Sequence, residues 1–348
     1  MLNHLIERFY QKIHRRQGIF WILILASSCM QSADRPIREQ GAVWNDTNGN
    51  PINAHGGGIL FYEGKYFWYG EVKSGKTILV PNQSWECYRV DVGGVSCYSS
   101  ENLIDWTYEG IVLAPNVTDS THDLHLSKVV ERPKVIYNDM TKKFVMWLHI
   151  DAKDYQLSLA GVAISDSPLG PFEYLGSLFP NGFTSRDMTL FKDDDGKAYH
   201  IFASEKNATM HISLLTADYL KPSGVYKRVL IDQFREAPAM FKHNRNYYLI
   251  TSGCTGWSPN AAMLASADSV LGNWSIINNP CIGENSDSTF LAQGTYVLPL
   301  PNRPDNFIFM ADRWEKADLE NSRYVWLPFV VKGDSIEISW EKHLKVEL

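Results

Sequence analysis

Five times along the chain a small or polar head gives way to an apolar strand, a tight turn and an aromatic strand. The copies are HGGGILFYEGKYFWYGE from His55, ERPKVIYNDMTKKFVMWLHI from Glu131, DMTLFKDDDGKAYHIFAS from Asp187, EAPAMFKHNRNYYLITSG from Glu236 and QGTYVLPLPNRPDNFIFMADRW from Gln293. Their heads are spaced by 76, 56, 49 and 57 residues, the period of propeller blades with an enlarged first blade. Each turn holds the residues a hairpin needs, such as Glu63-Gly64, Asp194-Asp195-Gly196 and His243-Asn244. An outer half follows in VSCYSSENLIDWTYEG (95–110), VAISDSPLGPFEYLG (162–176) and LASADSVLGNWSII (264–277), with a looser copy at 212–226. KGDSIEISWEKHL (332–344) reads as the last strands of blade five. The pattern therefore predicts an all-β fold, a five-bladed β-propeller forming a single domain over residues 43–348. Blades are radial, so equivalent heads converge on one axis.

The N-terminus follows another pattern. A basic stretch with Lys12, Arg15 and Arg16 precedes an apolar run from Ile19 to Leu25, too short for a stable membrane span. It ends in Leu25-Ala26-Ser27-Ser28-Cys29, which resembles a bacterial lipobox whose cysteine becomes the lipidated first residue. Residues 1–29 are thus expected to be a signal peptide and 30–42 a polar tether. The expectation is an exported cell-surface or periplasmic lipoprotein, touching membrane only through the anchor on Cys29. Of the other cysteines, Cys87 and Cys97 stand where a disulfide would close a loop in blade one.

Composition narrows the chemistry. A net charge of -6 without a basic cluster argues against nucleic acid as partner. The 11 Trp, 17 Tyr and 16 Phe suit both strand packing and stacking on sugar rings. Two insertions, Lys73–Val95 and Asn116–Lys128, are expected to rim the mouth of the axis.

Three of the five converging heads are carboxylates. Glycoside hydrolysis needs one acid to protonate the leaving oxygen, and crowding by like charges keeps such a group protonated near neutrality. Glu236, in EAPAMF, is the candidate general acid, the alternative being an ion pair with Arg235. Asp187 is the second carboxylate, suited to tuning the acid, or else paired with Arg186. Glu131 either tunes the acid or binds a sugar hydroxyl. Asp193-Asp194-Asp195-Gly196 sits at a hairpin turn and lacks the alternating twelve-residue spacing of a calcium loop, so no metal or cofactor is expected. His55-Gly56-Gly57-Gly58 is not an esterase oxyanion hole, because no G-x-S-x-G elbow accompanies it. Its glycines let the first inner strand crowd the axis.

Taken together, these segments resemble glycoside hydrolase family 43. AHGGGILFYEGKYFWYGE, SCYSSENLIDW, ERPKVIYN, TSGCTGWSPN and AQGTYV resemble its exo-β-1,3-galactanase subgroup more narrowly. The resemblance covers about residues 42–345 and implies an inverting five-bladed propeller hydrolase acting on a polysaccharide; separately, a monomer is expected. It implies Glu236 as acid and Asp187 as modulator of its pKa. The usual first-blade base Asp is missing, and Gln293 matches a glutamine thought to serve that subgroup as an unusual base or to position water. Glu71, Tyr155, Asn207 and Thr255 fall at or near its galactose-contacting positions. Trp257 and Trp314 are added as candidate stacking rings. The resulting expectation is release of galactose, branched or not, from the β-1,3-galactan of arabinogalactan. The alternatives are a family 43 enzyme for arabinan or xylan, and a catalytically silent sugar-binding propeller.

Overall fold

The structure, a computed structural model, describes residues 38–333 and 335–346. The signal segment, Cys29 and most of the tether lie outside the described residues.

Four blades are four-stranded antiparallel sheets built in chain order from the axis outward. Blade one comprises His55–Tyr62, Lys65–Glu71, Val95–Ser100 and Thr107–Leu113. Blade two comprises Val129–Asn138, Lys143–Asp151, Leu159–Ser165 and Glu173–Leu178. Blade three comprises Met188–Lys192, Ala198–Ser204, Thr209–Leu215 and Pro222–Val229, and blade four Arg235–His243, Asn246–Gly253, Met263–Ala267 and Ser275–Asn278. The second strands read as continuous apolar runs because neighbouring blades cover both of their faces. The outermost strands alternate or turn polar because one face meets water, and Ser275–Asn278 is exposed throughout.

Five separate cores lie between successive blades. Trp147 and Phe202 belong to the one between blades two and three, and Phe241 and Phe309 to the one between four and five. Trp68, Trp106 and Trp326 fill the seam between blades five and one. The ring therefore closes on itself.

Blade five departs from expectation. Its sheet has three strands, Gln293–Pro299, Asn306–Arg313 and Arg323–Val330. The closing segment does not extend that ladder. Ile338–Ser339 pairs in parallel with Cys281–Ile282 instead, on the blade-four side. The free edge of Arg323–Val330 is covered by the beginning of the body: Gln40 bonds both backbone groups of Trp326, and the Gly41 N–H donates to the Tyr324 carbonyl at 2.8 Å. The propeller thus starts by Arg38 rather than at 43, since Arg38 and Gln40 are buried and the Arg38 guanidinium holds the Ile104 carbonyl.

Cys87 and Cys97, a pairing the sequence allows without settling, are both free thiols. Cys97 points into the core between blades one and two, whereas Cys87 packs with Val129 and Tyr155 in a separate cluster. Among the described residues no helix is long and apolar enough to cross a membrane.

Candidate active site

The inner strands share one local device. In blades one, two and four the register slips just after the head residue, between His55 and Gly58, Glu131 and Lys134, and Glu236 and Ala239. The residue after each head has a left-handed backbone, with φ +58° at Gly56, +56° at Arg132 and +50° at Ala237. Such bulges re-aim a side chain, and left-handed non-glycine residues cost about 1–3 kcal/mol unless their surroundings enforce them. Pro133 and Pro238 follow the two strained residues, at positions where a missing N–H leaves no ladder bond unmade. The strain turns Glu131 and Glu236 toward the axis.

Glu236 and Gln293 meet there. Gln293 Nε2 donates to Glu236 Oε1 at 3.0 Å and to Ser252 Oγ at 3.0 Å. Gln293 Oε1 accepts from Arg132 Nη2 at 2.5 Å and from Trp314 Nε1 at 3.0 Å. Arginine and indole only donate, so this oxygen is an amide carbonyl oxygen and the orientation of Gln293 is fixed. The other Glu236 oxygen accepts from Asn207 Nδ2 at 3.0 Å. Burial pushes the Glu236 carboxyl up to about 8, with Asp187 adding to the effect and Arg132 opposing it. Glu236 is therefore protonated at neutral pH. Each of its oxygens retains a lone-pair site beyond the amide contact, one of which carries the proton.

The neighbouring arginines are not the partners of these acids. Arg235 turns away to the Thr251 carbonyl and Arg186 to the Tyr155 carbonyl. Asp187 pairs with Arg132 instead, at 2.8 Å from Nη2. Arg132 thus ties the carboxylate of blade three to the glutamine of blade five.

Glu131 belongs to a second, drier network. Its Oε1 accepts from Lys73 Nζ and Tyr155 OH, both at 2.8 Å. Burial alone would raise its pKa, but Lys73 and His149 hold it well below the usual carboxylate range. His149 is pushed down by burial yet raised to about 9 by Asp151 and Glu131, and Asp151 lies 3.0 Å from its Nε2. Glu71 sits beneath, accepting the Arg132 backbone N–H at 2.8 Å and lying 3.2 Å from Lys73 Nζ. Burial and Glu131 raise it to about 7 while Lys73 opposes. Glu131 is kept ionised and Glu236 kept protonated, the separation that divides charge support from acid work.

The pocket is lined by Glu131, Asp187, Glu236, Gln293, Tyr155, Asn207 and Trp257 from the expected set. Trp314 stands behind it, edge-on to Trp257 at 5.1 Å between ring centres. Glu71 is only 2% exposed and does not reach the lining. Thr255 is a turn residue, its hydroxyl donating to the Ser258 carbonyl at 2.6 Å outside the lining. The pocket also contains Trp85, Arg132, His149 and Arg186, which sequence reasoning did not single out as site residues. The Glu-x-Pro heads of blades two and four were a signal for Arg132, because a shared bulge displays the residue between them.

His55 lies buried against Asp312, Nδ1 to Oδ1 at 3.0 Å, as part of the wall. A Cβ on Gly58 would stand 2.7 Å from the Lys134 side chain and 3.2 Å from that of Tyr296, on the inner strands of blades two and five, so the crowding expected of these glycines is present. The Asp triplet is a turn, with Asp193 bonded to Lys242 and to Tyr247, each at 2.6 Å. Glu131, His149 and Asp187 place ligand atoms within 4.8 Å of one another. They suit a metal poorly, because Lys73 and Arg132 already engage the carboxylates and a protonated His149 has no lone pair to offer.

The model of the glycosyl hydrolases family 43 matches residues 78–294. The chain belongs to this family. A family 43 β-1,3-galactosidase solved with galactodeoxynojirimycin is 42% identical, with a TM-score of 0.82 over 88% of this chain and 100% of the other. An exo-β-1,3-galactanase from Phanerochaete chrysosporium with galactose is 36% identical, TM-score 0.77, over 87% of this chain and 66% of that one. An exo-β-1,3-galactanase from Clostridium thermocellum is 35% identical, TM-score 0.76, over 87% and 64%. No curated protein matches by sequence. The family 43 chain is accordingly a glycoside hydrolase on a five-bladed propeller.

Proposed function

We propose that this family 43 hydrolase removes galactose, one residue at a time and with inversion, from the non-reducing end of β-1,3-galactan such as that in arabinogalactan. The observation that carries the reading is Glu236: a carboxyl held protonated to about 8 at the pocket floor, between two amides that fix its plane. Glu236 protonates the glycosidic oxygen as the bond breaks. Asp187 keeps that proton in place by its charge, and Arg132 keeps Asp187 and Gln293 in register. Glu131, ionised between Lys73 and Tyr155, receives a sugar hydroxyl and supports developing positive charge on the ring.

Gln293 acts in this reading by position. All four hydrogen-bonding sites of its amide are engaged, so a water reaches it only by replacing one of them. The attacking water bonds to the anomeric carbon and releases its proton to solvent, while Glu236 gives its own proton to the leaving oxygen and keeps the amide contact as a carboxylate.

Exo action is supported by a wall on one side of the pocket. The blade-one insertion meets the loop after Trp314 through Lys316 and Glu86, and through the Leu319 N–H, which donates to Thr77 Oγ1 at 2.9 Å. Trp85 of that insertion packs edge-on to Tyr155 at 5.4 Å. The reading is supported further by what the similar structures are described as cleaving or binding. NMR of products from β-1,3-galactan tests it, with arabinan and xylan alongside. Galactose appearing first as the α-anomer is the expected result; a ladder of internal fragments, or cleavage of arabinan or xylan only, overturns it.

We also propose export and lipid anchoring through Cys29, on the sequence pattern alone. Cys29→Ser is expected to move the protein from the membrane to the soluble fraction; unchanged partitioning refutes the anchor.

A further inference from the structure

Beside the catalytic mouth, between blades four and five, lies a second groove of about 500 Å³. Ile282 and Ser339 line it from the parallel pair Cys281–Ile282 and Ile338–Ser339, whose second segment failed to extend blade five. Three large apolar side chains stay exposed along it: Trp340 at 39%, Ile282 at 42% and Leu291 at 46%. The indole is fixed. Phe290 packs against it at 5.8 Å between ring centres, and the Arg313 guanidinium lies 5.5 Å from the ring. Arg313 is itself held by donating from Nη2 to the Phe290 carbonyl at 2.8 Å, and its buried Nε has no hydrogen-bond partner. A Cβ at Gly41 would fall 2.3 Å from this guanidinium, so the position is made for the arginine.

The loop that supplies the other wall is strained. Thr289, Phe290 and Leu291 follow one another with φ of +51°, +58° and +61°, and Asn285 has +60°. Strain of this kind persists where surroundings impose it and clusters at ligand clamps. Its effect here is to keep Leu291 outward although Phe290 beside it is buried.

We propose that this groove is a second glycan-binding site, which holds the body of a neutral galactan chain while its end is processed in the catalytic pocket. A rigid, half-exposed indole offers a flat apolar surface to the C–H face of a pyranose. Glu284, Asn285 and Ser339 line the same groove with acceptors and donors for hydroxyls. One carboxylate and one guanidinium leave no net charge to select an ionic ligand, which favours a neutral polymer. The volume lies within the range of about 300–1,000 Å³ typical of ligand sites. Connection to the active site is short: Leu291 is two residues before Gln293, and Arg313 immediately precedes Trp314. Two residues of extended chain span at most about 7 Å, so a polymer in the groove passes close to the catalytic mouth. The proposal rests on the galactanase reading for the identity of the polymer.

The test compares long and short substrates. Trp340→Ala is expected to raise KM on polymeric β-1,3-galactan by about three- to tenfold, the scale of one lost aromatic contact, with kcat/KM on β-1,3-galactobiose unchanged. Ile282→Arg, which blocks the same groove from another strand, should do the same. In affinity electrophoresis through a galactan gel, Glu236→Gln protein is retarded and the Glu236→Gln/Trp340→Ala double variant is retarded less. Equal kinetics of variants and parent on the polymer, or equal losses on polymer and disaccharide, overturn the groove. A parent enzyme inert on galactan overturns the functional reading instead, and the gel comparison still decides the groove.

Discussion

Replacing Glu236 with Gln separates stability from catalysis. In the folded protein this carboxyl holds its proton up to about 8, against an ordinary value of 4.5. An acid whose pKa is raised on folding destabilises the native state wherever the unfolded chain ionises and the folded one does not. The cost is nil below 4.5, grows between 4.5 and 8, and is constant above. At pH 7 the full shift would set it at about 3 kcal/mol, and discounting for solvent in the pocket, where Glu236 is only partly buried, leaves roughly 1–2 kcal/mol. Glutamine cannot ionise, so Glu236→Gln removes this cost. Its new amide N–H meets Asn207, whose buried Oδ1 has no partner and can turn to accept it. The variant should therefore melt a few degrees higher than the parent at pH 7, at roughly 2–4 °C per kcal/mol, while the two coincide near pH 4. Its turnover should fall about a hundred- to ten-thousandfold with the general acid gone. Calorimetry across pH 4–8 with parallel galactan assays reads both quantities. A melting difference independent of pH, or a variant less stable than the parent at pH 7, would show that Glu236 is ionised at rest, and the assignment would fail.

Other perturbations probe the same framework. Above pH 8 the parent's kcat/KM should decline about tenfold per pH unit as Glu236 loses its proton; a flat profile from pH 7 to 9.5 contradicts the raised acid. Arg132→Lys replaces a fixed planar fork with a shorter, freely rotating ammonium that holds Asp187 and Gln293 less firmly, and kcat should drop about a hundredfold with little change in melting temperature, as measured by steady-state kinetics and calorimetry. Gly57→Ala drives a Cβ to 1.8 Å from the Tyr69 carbonyl oxygen and should cost about 3 kcal/mol or more in urea unfolding. Gly64→Ala faces open space at φ +80° and should cost only about 1–2 kcal/mol in the same experiment.

The repeat was legible because each blade spells its own first hairpin. Turn residues such as Asn244 and Asn302 carry the left-handed backbone those hairpins require. What escaped were pairings made across the ring. Cys281–Ile282 and Ile338–Ser339 are 57 residues apart and only two residues long, with no alternation to betray them. Gln40 reaches Trp326 across nearly the whole chain through a side chain that mimics a strand edge. In the site, the strand heads gave Glu131, Asp187, Glu236 and Gln293, because radial symmetry brings heads together. Lys73 and His149 were invisible as partners of Glu131, since a lysine in a polar insertion and a histidine ending an apolar strand both have ordinary local explanations. Thr255 was drawn in by its place in a motif, whereas its hydroxyl closes a four-residue turn.

The two ends of the body are stitched edge to edge, the Leu344 N–H donating to the Arg38 carbonyl at 2.8 Å and the Gln40 N–H to the Lys342 carbonyl at 2.9 Å. A short peptide bridging these ends would make the polypeptide topologically endless. New termini could then be opened at the solvent-exposed Asp194-Asp195 hairpin, far along the chain from either stitch. In the natural connectivity the chain crosses the seam between the last and first sectors only where the segment after Gln40 runs from the blade-five edge into blade one. Fraying, protease nicking and the first loss of amide protection on warming belong there.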